Sequence, residues 1–300
     1  MTEDDSWLAE RDLGVEHRIR LREVLYEGAS PFQRIQVVDT APFGRALVLD
    51  GLIQTAERDE FIYHEMLAHP ALTAVASPRR ALIVGGGDGG CLRRALEHPL
   101  EEVVQVELDR QVVEVCQKHL PAVSAGAFAD PRTNLIFADG FAYAQDCQDS
   151  FDAIFVDSTD PLGPSVPLYS QEFYQALGRI LQDDGFLVIQ SGSPFFMAKE
   201  LLNVWRNLRQ VFPLVLIYLA PVPSYIGTVW SFALASKGVH PLAIAGEEIQ
   251  ERLRQRGIRP RFYSPESHFA AFAIPPYLRE LLASAEPLAQ LGASFPIAYP

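Results

Sequence analysis

From residue 80 onward, short apolar runs alternate with segments that have the character of helices. The runs, each about as long as a buried strand, are Ala81–Val84, Val103–Leu108, Leu135–Ala138, Phe151–Val156 and Phe186–Ile189. Strands that alternate with helices are typical of βαβ units, whose parallel sheet is covered on both faces. Two later runs, Leu214–Leu219 and Val229–Ala235, predict a hairpin that closes one edge of this sheet. The pattern therefore predicts a doubly wound, Rossmann-like α/β fold.

The residues that precede this alternation follow a different pattern. Between Arg18 and Glu57, short β-like runs are separated by Gly, Pro and Asp, which predicts a small antiparallel sheet. A helix is expected from Asp59 to about Val75. We therefore divide the chain into an N-terminal β-strand domain, residues 1–58, and a Rossmann-like catalytic domain, residues 59–300.

The net charge of −13 limits the partners that the chain can bind. Nucleic acids require patches of Lys and Arg against their phosphates, so we expect no nucleic-acid partner. A cationic substrate is compatible with the charge, because acidic clefts attract cations over long distances. The same charge could serve solubility alone, and composition does not choose between these two interpretations.

Neither a membrane anchor nor a disulfide framework is predicted. The sequence contains no apolar stretch of about eighteen residues or more, the length that spans a bilayer. The acidic start, Met1–Ser6, lacks the basic and then apolar layout of a signal peptide, so we expect a cytoplasmic protein. Cys91, Cys116 and Cys147 form no CxxC pair, which indicates reduced thiols rather than disulfides or a zinc site.

A glycine-rich turn, Gly85–Gly90, follows the first strand of the predicted parallel sheet. Together with Glu107 at the end of the next strand, where a carboxylate can bind ribose hydroxyls, it predicts a nucleoside ligand. The spacing also fits the dinucleotide pattern G-x-G-x-x-G. Asp88, however, would repel a pyrophosphate at this helix N-terminus. The turn therefore favours a ligand without phosphate that carries an amine or a sulfonium, similar to adenosylmethionine, over NAD.

Acidic residues follow several strands of the predicted sheet. Asp157 and Asp160 come after the run that ends at Val156, and Asp139 follows the preceding strand. With Asp88 and Glu107 they should converge on one rim, because parallel strands end at the same edge of a sheet. Taken singly, Asp139 or Asp160 is at least as well explained by helix capping or a turn. Magnesium would accept such oxygen ligands, but no His or further Glu pattern marks a dedicated site, so we predict a polyamine and no metal.

At this point the sequence resembles the spermidine synthase (polyamine aminopropyltransferase) family. The resemblance runs from about Trp7 to Lys237 and is most specific in two places, the stretch Gln54–Met66 and the Asp-x-x-Asp-Pro turn at Asp157. The glycine turn is shared with methyltransferases. The resemblance implies a methyltransferase-type sheet, a small N-terminal β-sheet domain and a homodimer or a dimer of dimers. It implies no cofactor, because decarboxylated S-adenosylmethionine would be a co-substrate.

The resemblance also implies roles for individual residues. Glu107 would bind the ribose, Asp139 would lie near the adenine amine, and Asp157 would be the catalytic base. The residues implied for the donor are Gln33, Gln54, Asp88, Glu107, Asp139, Gly140 and Pro164. Those implied for the acceptor polyamine are Tyr63, His64, Asp88, Asp157, Asp160 and Tyr225.

The implied reaction transfers the aminopropyl group to putrescine and gives spermidine and 5′-methylthioadenosine. On the acceptor side, the stretch Gln190–Pro194 lacks an acid that some relatives carry. Cadaverine, agmatine or a longer polyamine therefore remain alternative acceptors. A methyltransferase and a non-catalytic polyamine binder are the other two interpretations. The loop Ser158–Ser170 is expected to be a lid, because it is rich in Pro and Gly and adjoins the base.

Overall fold

The structure, a computed structural model, describes residues 6–12, 14–160 and 163–284, with residues 163 and 164 described by their backbone alone. The strands are β1 Trp7–Asp12, β2 Val15–Ala29, β3 Arg34–Thr40, β4 Gly44–Leu49, β5 Leu52–Ala56, β6 Arg80–Gly85, β7 Glu102–Glu107, β8 Thr133–Phe137, β9 Phe151–Asp157, β10 Leu181–Gln190, β11 Leu214–Pro221 and β12 Val229–Ser236. The α-helices are α1 Glu60–Ala74, α2 Gly90–Leu96, α3 Arg110–His119, α4 Pro121–Ser124, α5 Gly140–Asp146, α6 Gln171–Ile180, α7 Ala198–Arg209, α8 Gly246–Arg256, α9 Pro265–Ala271 and α10 Pro276–Ser284. None of the helices in these ranges is long and apolar enough to cross a bilayer.

The first five strands form an antiparallel sheet in the order β1-β2-β3-β4-β5. The predicted small sheet is confirmed, but its start at Arg18 was wrong, since pairing begins at Trp7. In β1, Glu10 is the one buried residue, and most of β2 is exposed or half-buried. These strands therefore lack the apolar alternation that marks a half-buried strand in a sequence.

The remaining strands form a second sheet in the order β11-β12-β10-β9-β6-β7-β8. The pairs from β10 to β8 are parallel, and β12 joins β10 as part of an antiparallel hairpin with β11. The predicted doubly wound α/β class and the closing hairpin are therefore confirmed. The strand order reverses direction at β6, whose neighbours are β7 and β9, and such a switch point is where ligands bind in open α/β sheets.

Helices cover both faces of this sheet. Successive residues of β6 alternate between two cores: Ala81 and Ile83 belong to the core with α1, α2 and α8, and Leu82 and Val84 to the core with α5, α6 and α7. A further cluster joins α3 to β3 and β4 of the N-terminal sheet. The N-terminal sheet is thereby packed against the end of the large sheet at which the switch point opens.

Two buried histidines and an arginine join α1 to α8. Arg256 donates to the carbonyls of Leu72 and Val75 at the end of α1, and to Nδ1 of His98 at 3.0 Å. Because arginine only donates, His98 Nδ1 must accept, and Nε2 then donates to His69 Nδ1 at 2.9 Å. Burial lowers the pKa of both imidazoles, and the charge of Arg256 adds to the effect on His98.

This network predicts a loss of stability in acid. The unfolded chain binds protons at these histidines below about pH 6.5, whereas the folded chain does not, so the free energy of unfolding should fall as the pH decreases from 6.5 to 5. The limiting slope is about 1.4 kcal/mol per pH unit for each histidine. His98→Asn should lower stability at pH 7.5 and make this slope shallower in denaturant unfolding. An unchanged slope would contradict the assignment.

Candidate active site

A cavity of about 260 Å³ opens between the N-terminal sheet and the switch point of the large sheet. Every sequence-predicted site residue that the structure describes with its side chain lines this cavity; the side chain of Pro164 lies outside the described residues. The predicted residues that meet there are Gln33, Gln54, Tyr63, His64, Asp88, Glu107, Asp139, Gly140, Asp157, Asp160 and Tyr225. Residues that are distant in sequence are therefore brought together in one cavity, and the roles implied for them stay predictions.

The glycine turn after β6 packs directly on Asp157 and His64. The amide of Gly86 donates to the carbonyl of Asp157 at 2.7 Å, and a Cβ at Gly85 would lie 2.3 Å from that oxygen. At Gly90, the first residue of α2, a Cβ would lie 2.1 Å from the His64 ring. The absence of a side chain at Gly85 and Gly90 thus leaves room for the backbone of Asp157 and the imidazole of His64.

Asp157, at the end of β9, accepts a hydrogen bond from the Tyr63 hydroxyl at 2.7 Å. Burial and the nearby charge of Asp88 raise the pKa of Asp157 to about 6, although His64 and the Tyr63 hydrogen bond act in the opposite direction. Burial raises the pKa of Tyr63 well above its usual value, so its hydroxyl remains a donor. A carboxylate that is ionised at neutral pH, with a pKa close to it, is suited to accept a proton.

His64 lies between two carboxylates. Its Nδ1 is 2.8 Å from Glu60 Oε2, and its Nε2 is 3.4 Å from Asp88 Oδ2. Burial alone would lower the pKa of His64, but Asp88 and Glu60 together raise it to about 10. Burial would raise the pKa of Asp88, yet the charge of His64 lowers it overall.

One ligating atom each of His64, Asp88 and Asp157 lies within 4.8 Å of the other two. A group of this kind can hold a metal ion. Here, however, a protonated imidazole has no lone pair to give, and both of its nitrogens already face carboxylates. We therefore describe the group as an ion-paired network, and the expectation of no metal stays a prediction.

On the side predicted for the donor, the carboxylates are held by backbone amides. Glu107 accepts from the amide of Asp109 at 2.8 Å, and burial, with the charges of Asp109 and Asp157, raises its pKa to about 7. Asp139 accepts from the amides of Phe141 and Ala142 and so caps α5, as its alternative interpretation predicted, while it also lines the cavity.

No role was predicted for Asp109 from the sequence. Its Oδ1 caps α3 by accepting from the amide of Gln111 at 3.0 Å. Its Oδ2 accepts from Ser30 at 2.5 Å and from Gln33 Nε2 at 3.0 Å. Asp109, which follows β7 of the large sheet, thereby orients Gln33, which precedes β3 of the N-terminal sheet, towards the cavity. An Asp directly before a helix was a visible signal for the cap, but the link to Gln33 requires the fold.

On the side predicted for the acceptor, Asp160 and Tyr225 are both half-buried. Burial raises the pKa of Asp160 to about 6 against the hydrogen bond from Gln190, and the charge of Asp12 adds to the increase. The hydroxyl of Tyr225 donates to the carbonyl of Gln54 at 2.5 Å. Its ring packs edge-on against Tyr63, with centroids 5.7 Å apart.

Two further acids, Glu10 and Asp12, reach the cavity from β1. Glu10 is 2% exposed and accepts from the amide of Ile53 at 2.6 Å. Both were missed, because β1 itself was not predicted. The charge of Asp12 acts on Asp160, so Asp12 lies towards the side of the cavity predicted for the acceptor.

Comparison with known proteins gives the family. The sequence model of the spermine/spermidine synthase domain matches residues 60–243, and that of the spermidine synthase tetramerisation domain matches residues 6–57. The chain belongs to the spermidine synthase family. It is therefore an enzyme of the polyamine aminopropyltransferase type, and the interpretations as a methyltransferase or a non-catalytic binder are set aside.

Relatives of known name and structure are similar over most of their length. The chain is 43% identical over 262 residues to the polyamine aminopropyltransferase of Desulforudis audaxviator, covering 87% of this chain and 93% of that one. Among solved structures, it is similar to a spermidine synthase in complex with the transition state analogue AdoDATO, at 35% identity and a TM-score of 0.89, over 95% of this chain and 97% of that one. The spermidine synthase from Thermotoga maritima is 33% identical, with a TM-score of 0.86 over 94% and 96% of the two chains.

Gly90→Ala should displace His64 in this spermidine synthase family member. The new Cβ would overlap the imidazole, so we expect a loss of aminopropyltransferase activity and a decrease of about 1–3 kcal/mol in the free energy of unfolding. Gly246→Ala is the matched control, because Gly246 also begins a helix but has no atom nearer than 3.6 Å to the added Cβ. Equal effects of the two changes on activity would contradict the packing argument.

Proposed function

We propose that the enzyme transfers the aminopropyl group of decarboxylated S-adenosylmethionine to putrescine, giving spermidine and 5′-methylthioadenosine. The observation that carries this proposal is the pair of Asp157 and Tyr63 in a cavity that also contains Asp88 and Glu107. The similarity to a spermidine synthase bound to a transition state analogue supports it. The reaction needs no cofactor, and a cytoplasmic location stays a prediction from the sequence.

The donor side of the cavity suits a cationic nucleoside. Glu107 would accept hydrogen bonds from the ribose hydroxyls, and Asp139, Gly140, Gln33 and Gln54 would surround the adenosyl portion. Asp88, whose pKa is lowered by His64 against the effect of burial, would pair with the terminal ammonium of the donor. Intact adenosylmethionine has a further carboxylate, which would lie close to that of Asp88. The repulsion between these two carboxylates favours the decarboxylated donor.

The acceptor must lose a proton before it can react. An alkylamine has a pKa of about 10 and is protonated at neutral pH, so it has no lone pair for attack. Asp157 would accept that proton while Tyr63, Asp160 and Tyr225 orient the amine. The nitrogen then forms a bond to the carbon next to sulfur, the C–S bond breaks, and its electron pair leaves with neutral methylthioadenosine. Positioning can supply up to about 7–11 kcal/mol of the barrier reduction.

Putrescine is the first choice of acceptor because its two amines would match two acids of this side, Asp157 and Asp160. Asp157 would receive the reacting nitrogen, and Asp160, with Asp12 nearby, would receive the distal ammonium. Cadaverine, agmatine and longer polyamines also combine a reacting amine with a distal cationic group, at other spacings, so the acceptor has to be tested with a panel of amines.

We further propose that the enzyme assembles as a homodimer or a dimer of dimers through β1–β5. Residues 6–57, which contain this sheet, match the family's tetramerisation domain. Light scattering of the purified enzyme would measure the oligomeric state, and a monomer at micromolar concentration would contradict this proposal.

The substrate assignment is tested by incubating the enzyme with decarboxylated S-adenosylmethionine and each amine in turn, with products identified by mass spectrometry. We expect spermidine and methylthioadenosine in equal amounts from putrescine, with a higher kcat/KM than for the other amines. No product with intact adenosylmethionine is expected. If another amine had a higher kcat/KM, that amine would be the acceptor instead of putrescine.

Asp157→Asn should lower kcat by about 100- to 10,000-fold, the usual contribution of a general base, and leave methylthioadenosine binding within a few-fold of wild type. Asp152→Asn is the matched control. Asp152 lies at the opposite end of β9, where it accepts from the amides of Arg79 and Arg80. It should change stability without changing kcat. Wild-type kcat in Asp157→Asn would remove this residue from the role of base.

A further inference from the structure

Glu60, the first residue of α1, is 6% exposed and has no role in the reaction as described so far. Its Oε2 lies 2.8 Å from His64 Nδ1. Its Oε1 lies 3.3 Å from Arg94 and 3.7 Å from Arg93, both on α2. Two arginines therefore hold a buried carboxylate in place, and that carboxylate faces an imidazole at the edge of the cavity.

The groups around His64 come from several elements. The carboxylates are Glu60 on its own helix, Asp88 in the glycine turn and Asp157 at the end of β9. The Tyr63 ring lies edge-on at 5.2 Å, and Arg93 and Arg94 stand behind Glu60. An imidazole donates from both nitrogens only when it is protonated, and both nitrogens of His64 face carboxylate oxygens. The arrangement is that of an imidazolium.

We propose that Glu60 is a positioning residue that holds His64 as an imidazolium beside the reacting nitrogen. The proposal rests on the proposed function. In this state His64 has no lone pair, so it cannot accept a hydrogen bond from the acceptor amine and acts on the amine by charge. Its ring lies within 4.8 Å of the Asp157 carboxylate, where the amine would bind.

A fixed cation at this place favours the reactive form of the acceptor. It lowers the pKa of an amine bound at Asp157, and so increases the fraction of unprotonated nitrogen available for attack. Burial raises the pKa of Glu60, but His64, Arg94 and Arg93 outweigh it, so Glu60 stays ionised and can hold the proton on His64. Glu60 thus influences the chemistry without contact with either substrate.

Nitrogen-15 NMR of histidine-labelled protein tests the charge of His64 directly. With the resonance assigned through His64→Gln, we expect both ring nitrogens of wild-type His64 to be protonated at pH 8. In Glu60→Gln the resonance should titrate at least about one pH unit lower than in wild type, a tenfold change in the protonation equilibrium. A neutral His64 in the wild-type protein at pH 8 would overturn the proposal, whether or not the variant folds and whatever reaction the enzyme catalyses.

The pH dependence of kcat with saturating donor and putrescine tests the consequence. In Glu60→Gln the pH profile of kcat should shift: kcat should stay near wild type at low pH, where His64 is protonated in both enzymes, and should fall below wild type at the higher pH at which the variant's His64 has lost the proton that wild-type His64 still holds. In a His64→Gln background, Glu60→Gln should add no further shift, because the two residues act as one unit.

Glu65→Gln is the matched control. Glu65 is buried on the same helix and lies 3.7 Å from Arg94, but it accepts from the amides of Arg261, Phe262 and Tyr263. It should lower stability and leave both the His64 resonance and the pKa seen in kcat unchanged. If Glu65→Gln shifted the titration of His64 as much as Glu60→Gln does, the effect of Glu60 would be structural and the proposal would be wrong. A wild-type enzyme that forms no spermidine would refute the proposed function instead, since the NMR result does not depend on it.

Discussion

Buried carboxylates surround an imidazole at the N-terminal turn of α1, and the arrangement of the cavity depends on that contact. Glu60 and Asp88 flank this imidazole; without its charge, burial would raise the pKa of Asp88, whereas Glu60 would keep its pairs with Arg93 and Arg94. With His64 between them, each carboxylate stays ionised and hydrogen-bonded. The requirement for glycine at position 90 follows, because the imidazole occupies the space of its side chain.

The helix that carries this group is itself held at both ends. Its first turns bring Glu60, Tyr63 and His64 to the switch point, and its last carbonyls accept from Arg256 of α8. Polar groups buried along such a helix must find partners, because an unpaired one costs about 1–3 kcal/mol. Glu65 meets this condition by accepting from three successive backbone amides after α8. The C-terminal helices, about which the sequence indicated little, thus fix the orientation of the helix on which the site is built.

The sequence was sufficient for the α/β class, because the parallel strands are continuous apolar runs with helices between them. It also located the acids of the rim, since the end of a strand is visible as the end of an apolar run. It failed for β1, because the one buried residue of this strand is the charged Glu10, so the strand has no apolar period, and Glu10 and Asp12 were missed with it. The charge of His64 could not be predicted either. It depends on Asp88, which is distant in sequence, and a lone histidine on a helix is equally consistent with a core residue. The Ser158–Ser170 lid includes residues outside the described part and stays a prediction.

The balance of charge during the proposed reaction explains why the acids around the base differ in pKa. A proton must leave the acceptor nitrogen before it attacks, and as the C–S bond then breaks, positive charge moves from sulfur to that nitrogen. A base with a pKa near 4 would hold this proton weakly, and one far above 7 would already be protonated before the reaction. Burial and Asp88 place Asp157 between these limits, at about 6, while His64 keeps the pKa of Asp88 low. One carboxylate can therefore remain a permanent anion for the donor's ammonium while its neighbour takes up and releases a proton. This division of roles requires a cation beside Asp88 before either substrate binds, and His64 fulfils that condition.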